Sequence, residues 1–83
     1  MTHKILLVED DHDLSDMLAA FLASKGFEVA TCADGSEAVD LFKEFAPSLV
    51  LMDIQLPGGS SGLTLTRTIK SMGSDATVVV LTA

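Results

Sequence analysis

The stretch that decides the fold is PSLVLMDIQLPGG, residues 47–59. Four apolar residues, 49–52, run directly into Asp53, and the loop residues PGG (57–59) follow shortly after. An apolar run of this length between proline and glycine is typical of a buried strand. Because an unpaired charge is costly to bury, a carboxylate should stand where such a strand leaves the core. We therefore predict a strand over residues 48–52 with Asp53 at its end.

Further apolar runs and helical patterns alternate on both sides of this strand. KILLV (4–8), FEVATC (27–32) and TVVVLTA (77–83) are predicted strands. Helices are predicted from Asp11 or Asp13 to Gly26, over 36–45 and over 63–72. The residues expected to face the core from these helices are Leu14, Met17, Leu18, Phe21, Leu22, Ala38, Leu41, Phe42, Phe45, Leu63, Leu65, Ile69 and Met72, and Met52 is expected in the core from its strand.

The order of these elements predicts the fold class. Strands and helices alternate as β-α-β-α-β-α-β, and three of the four strands are nearly continuously apolar. Such strands are typical of a parallel sheet with helices on both faces. We therefore predict an α/β protein with a doubly wound parallel sheet, formed by one small domain.

Composition limits the possible partners. The 83 residues carry a net charge of −7, so we expect neither nucleic-acid nor anionic-membrane binding by the chain itself. The single cysteine excludes an intrachain disulfide. No apolar run is long enough for a membrane span, and the apolar N-terminal run is too short for a signal peptide. We expect a soluble, cytoplasmic protein.

Acidic residues follow two of the predicted strands. Glu9 and Asp10 come after the first strand, Asp53 after the third, and Thr82 after the fourth. Ligands of open α/β sheets bind beyond the carboxyl ends of the strands. If the first and third strands are neighbours, the three carboxylates meet, and Mg²⁺ would relieve their mutual repulsion. Neither histidine has the spacing of a zinc ligand pair. For Asp53 alone, a simple helix cap remains an alternative.

These residues resemble a known family, the receiver (phosphoacceptor) domain of two-component response regulators. The matching stretches are ILLVEDD (5–11), GFEVATCADGSEAVDLF (26–42), PSLVLMDIQLPGG (47–59), Gly62-Leu63 and VVVLTA (78–83). The resemblance implies a flavodoxin-like sheet with strand order 2-1-3-4-5. We expect an incomplete form of it, with four strands and three helices, as a single truncated receiver domain over residues 1–83.

The resemblance also implies roles for individual residues. Asp53 would accept a phosphoryl group from a histidine kinase. Mg²⁺ would be bound by Glu9, Asp10, Asp53 and the backbone carbonyl of Gln55. Thr82 would contact the phosphoryl group and change rotamer on switching. We expect a signalling module rather than an enzyme.

The sequence departs from the family pattern at its end. The family's fourth helix, fifth strand and fifth helix have no counterpart before Ala83, and neither has its phosphoryl-binding lysine. An alternative function is therefore a phosphorylation-independent module for self-association or protein interaction. The uncharged strand 77–83 would then be an edge, and we expect a homo-oligomer through it. A phosphatase of the haloacid dehalogenase kind would require an aspartate where Gln55 stands.

Overall fold

Four strands alternate with three helices in the computed structural model, which describes residues 3–53, 62–73 and 75–81. In chain order the elements are β1 (Lys4–Val8), α1 (His12–Ser24), β2 (Glu28–Cys32), α2 (Gly35–Phe45), β3 (Leu49–Asp53), α3 (Gly62–Ser71) and β4 (Thr77–Leu81). All seven predicted elements are present, with boundaries close to those expected. The last two residues of the predicted fourth strand lie outside the described residues.

The strands form one parallel sheet in the order β2-β1-β3-β4. The chain moves in one direction from β1 to β2 and in the opposite direction afterwards. Because crossovers between parallel strands are right-handed, this reversal puts α1 on one face and α2 and α3 on the other. The sheet is therefore doubly wound, as predicted, and the strand order reverses between β1 and β3.

The main core lies between the sheet and the pair α2 and α3. Alternate residues of β1 and β3 are buried there against the inner faces of both helices. They form a cluster of Leu6, Val8, Val50, Met52, Ala38, Phe42, Leu65 and Ile69, together with Cys32 and Ala76. On the opposite face, Ile5 and Leu7 are also buried. Both faces of β1 are therefore covered, which explains why its sequence is apolar without alternation. No helix in the described ranges is long and apolar enough to cross a bilayer.

Side chains and backbone geometry set the helix ends. Asp11 caps α1, because its Oδ1 accepts a hydrogen bond of 3.1 Å from the N–H of Leu14. Asp34 caps α2 in the same way, accepting from the N–H of Glu37 at 2.9 Å. Gly26 follows α1 with a φ of +94°, a conformation that glycine adopts without strain. Of the two predicted caps for α1, the structure selects Asp11.

Three residues predicted to face the core are exposed instead. Met17 is 62% exposed, Phe21 56% and Leu63 57%. In α1 the buried position is Ser15, which the apolar pattern did not indicate. Among the described residues α1 packs mainly against β2 and β1, and Met17 and Phe21 lie on the part of its apolar stripe that this packing leaves exposed. The prediction was thus wrong for these three residues.

Candidate functional site

The carboxyl ends of β1 and β3 carry an acidic cluster, defined as Glu9, Asp10 and Asp53. Val8 lies opposite Met52 in the parallel register of the two strands. Glu9 follows Val8, and Asp53 follows Met52. The two carboxylate residues are therefore level with each other at the ends of neighbouring strands. The cluster stands where the strand order reverses, at the edge where open α/β sheets bind their ligands.

The three carboxylates of the acidic cluster converge closely. Each offers one oxygen, and these oxygens all lie within 4.8 Å of one another. Glu9 is buried, at 5% exposure, whereas Asp53 is half-buried and Asp10 is exposed. The cluster is thus open to solvent on the side of Asp10 and enclosed on the side of Glu9.

Backbone hydrogen bonds hold Glu9 in place. Its N–H donates to the carbonyl of Cys32 at 3.0 Å, which continues the pairing of β1 with β2 by one residue. Its side-chain Oε1 accepts from the N–H of Asp11 at 3.1 Å. The carboxylate is therefore oriented by the same residue that caps α1. The sequence indicated only the capping role of Asp11. Its hydrogen bond to Glu9 comes from the backbone N–H, which nearly every residue type has, so the residue type could not indicate it.

Burial and neighbouring charge both act on Glu9. Burial raises the pKa of its carboxyl, and the charges of Asp53 and Asp10 raise it further, against the hydrogen bond from Asp11. A divalent cation would remove this repulsion. Carboxylate oxygens are the ligands that Mg²⁺ prefers, and it often binds one or two of them while it retains water. The donor set therefore fits Mg²⁺.

The structure brings together three of the predicted site residues and does not describe the other two. Glu9, Asp10 and Asp53 form the cluster, while Gln55 and Thr82 lie outside the described residues. Asp53 pairs with Leu81 in the register of β3 and β4. The helix after β3 begins at Gly62, so Asp53 is too far away in sequence to be its cap.

Comparison with known proteins gives one consistent result. A family model described as response regulator receiver domain matches residues 5–83. The DNA-binding response regulator MtrA of Mycolicibacterium smegmatis is 40% identical over 83 residues, which are all of this chain and 36% of that protein. The chemotaxis protein CheY of Bacillus subtilis is 37% identical over 84 residues and is covered to 69%.

Solved structures agree with the sequence relatives. The response regulator protein TrrA of Thermotoga maritima, solved in complex with Mg²⁺-BeF, has a TM-score of 0.90 and 34% identity. The match covers 99% of this chain and 70% of that one. The chain thus has a flavodoxin-like fold, and it spans about a third of the MtrA relatives' length.

Proposed function

Because the chain belongs to the response regulator receiver domain family of two-component systems, we propose that Asp53 accepts a phosphoryl group from a histidine kinase. We propose also that Mg²⁺ is bound by Glu9, Asp10, Asp53 and the backbone carbonyl of Gln55. The observation that carries both proposals is the convergence of the three carboxylates within 4.8 Å at the strand reversal.

The chemistry assigned to Asp53 is nucleophilic. One of its carboxylate oxygens attacks the phosphorus, an acyl phosphate forms, and the bond from phosphorus to the kinase histidine breaks. Phosphoryl transfer needs mainly positioning and neutralisation of charge, and bound Mg²⁺ would supply the neutralisation. Asp53 is suited to positioning because it ends β3, whose residues Val50 and Met52 are fully buried. Thr82 follows Leu81, the residue that pairs with Asp53 across β3 and β4. We assign to Thr82 the contact with the transferred phosphoryl group.

The acidic cluster favours this function over a phosphorylation-independent module. The burial of Glu9 beside two other carboxylates raises the pKa of its carboxyl, and this raised pKa opposes folding. A module that only assembles would not require such a cluster of carboxylates. Self-association through β4 remains a separate proposal, supported by the position of β4 at one edge of the described sheet. MtrA is described as a DNA-binding response regulator. Because the 83 residues of this chain have a net charge of −7, we do not assign DNA binding to them.

The test is the intact mass of the protein after incubation with acetyl phosphate and Mg²⁺. We expect a gain of one phosphoryl group in the parent chain and none in Asp53→Asn. Glu28→Gln, which removes an exposed carboxylate at the start of β2, is the matched control and should be phosphorylated like the parent. A parent chain that is folded by circular dichroism and gains no mass would refute the proposal. Equal labelling of Asp53→Asn would assign the phosphoryl group to another residue.

A further inference from the structure

Asp11 connects the acidic cluster to the first turn of α1. Its N–H donates to Oε1 of Glu9 at 3.1 Å, and its Oδ1 accepts from the N–H of Leu14, also at 3.1 Å. Its carbonyl accepts from the N–H of Ser15 at 2.9 Å, which closes the first turn of the helix. Asp11 therefore holds a carboxylate of the cluster with one hydrogen bond and is itself held by the helix with two.

The connection between β1 and α1 is short and is anchored at both ends. It consists of Glu9, Asp10 and Asp11 alone. At its start the N–H of Glu9 donates to the carbonyl of Cys32 at 3.0 Å, and at its end the first turn of α1 carries the buried Ser15. Asp10 lies between the two anchored residues. The positions of two cluster residues thus depend on how firmly Asp11 is held at the start of α1.

The carboxylate of Asp11 is bonded to the helix and does not belong to the acidic cluster. Its side chain is exposed, and its Oδ1 accepts from the first turn of α1. The oxygens that converge within 4.8 Å are those of Glu9, Asp10 and Asp53. Asp11 therefore acts on the cluster through its backbone, not by adding a fourth ligand.

We propose that Asp11 is a positioning residue for Mg²⁺, an inference that rests on the proposed function of the acidic cluster. Without a capping oxygen, the first turn of α1 has an unsatisfied N–H and opens more readily. The N–H of Asp11 then holds Glu9 less firmly, and cation binding has to order the connection between β1 and α1. Groups that orient a ligand from outside the coordination shell raise metal affinity in this way.

Two substitutions separate the cap of Asp11 from its charge. Asp11→Asn and Asp11→Ala both remove one negative charge, so both lose the same attraction for a cation. Asparagine keeps an oxygen that caps a helix about as well as aspartate does, whereas alanine has none. The difference between the two variants therefore reports the cap alone.

The test is a titration of the full ¹⁵N-labelled chain with MgCl₂, followed by nuclear magnetic resonance. The dissociation constant comes from the shifts of the Glu9 and Asp10 amides. We expect Asp11→Ala to bind Mg²⁺ about three- to tenfold more weakly than Asp11→Asn, from the usual contribution of a helix cap. Asp11→Asn should stay close to the parent. Without Mg²⁺, the backbone N–H at position 11 should exchange with solvent faster in Asp11→Ala than in Asp11→Asn.

The matched control is Asp34→Ala, which removes the cap of α2. The Oδ1 of Asp34 accepts from Ser36 and from the N–H of Glu37, both within α2. This variant also loses one carboxylate and one cap. It should lose unfolding free energy much as Asp11→Ala does, with its Mg²⁺ affinity close to that of the parent.

Equal Mg²⁺ affinity in Asp11→Ala and Asp11→Asn would overturn the inference. If both bound weakly, the contribution of Asp11 would be its charge. Weakening in Asp34→Ala as large as in Asp11→Ala would also overturn it, because the effect would then be a general loss of stability. A parent that binds no Mg²⁺ would refute the proposed metal site and this inference with it, whereas a parent that binds Mg²⁺ regardless of the cap would refute the inference alone.

Discussion

Removing one charge from the acidic cluster should stabilise the fold when no divalent cation is present. In Asp53→Asn the side chain keeps its size and loses its negative charge. Glu9 and Asp10 then no longer face a third carboxylate at the end of β3. Because the register holds Asp53 level with Glu9 only in the folded state, most of this repulsion is absent from the unfolded chain.

The size of the effect follows from the distances in the cluster. Two unit charges 4.8 Å apart repel by about 0.9 kcal/mol in water and by about 3.5 kcal/mol at an effective dielectric constant of 20. Asp10 is exposed, so its repulsion lies near the lower value, and Glu9 is buried, so its repulsion is larger. After a discount for solvent screening, we expect Asp53→Asn to gain about 1–3 kcal/mol of unfolding free energy.

Urea denaturation followed by circular dichroism measures this gain, in buffer with a chelator. Adding Mg²⁺ should narrow the difference in stability between Asp53→Asn and the parent. At ten times its dissociation constant, a cation stabilises the parent by about 1.4 kcal/mol, and Asp53→Asn should respond less because one ligand is lost. Glu28→Gln should match the parent under both conditions. If Asp53→Asn is no more stable than Glu28→Gln in the chelator, the carboxylates do not repel one another as the geometry requires.

Two further predictions concern single side chains. The pKa of Asp34 is lowered by hydrogen bonds, first from the Glu37 backbone and then from Ser36. Its stabilisation is therefore present above its ordinary pKa and is lost as pH falls through the lowered value, so Asp34→Asn should flatten the acid side of a plot of urea midpoint against pH. Burial raises the pKa of the Cys32 thiol to about 12, helped by the charges of Glu37 and Asp34. At pH 8 it should react with a disulfide reagent roughly a thousandfold more slowly than an ordinary thiol, and rapid stoichiometric labelling without denaturant would contradict this.

The helices, the strands and most of the acidic cluster could be predicted from the sequence. An apolar run that ends in Asp53 and another that ends in Glu9 are sufficient to put both carboxylates at one edge of a parallel sheet. Their closeness depends on β1 and β3 being neighbours, which local pattern does not determine. That order came from the family resemblance, and the structure confirms it.

The exposed side of α1 could not be predicted in the same way. Apolar periodicity tells which side of a helix is apolar, but not how much of that side has a partner. Met17 and Phe21 belong to the apolar stripe and yet are more than half exposed, whereas the polar Ser15 is buried. The difference depends on where α1 lies across the sheet, and this is a property of tertiary packing.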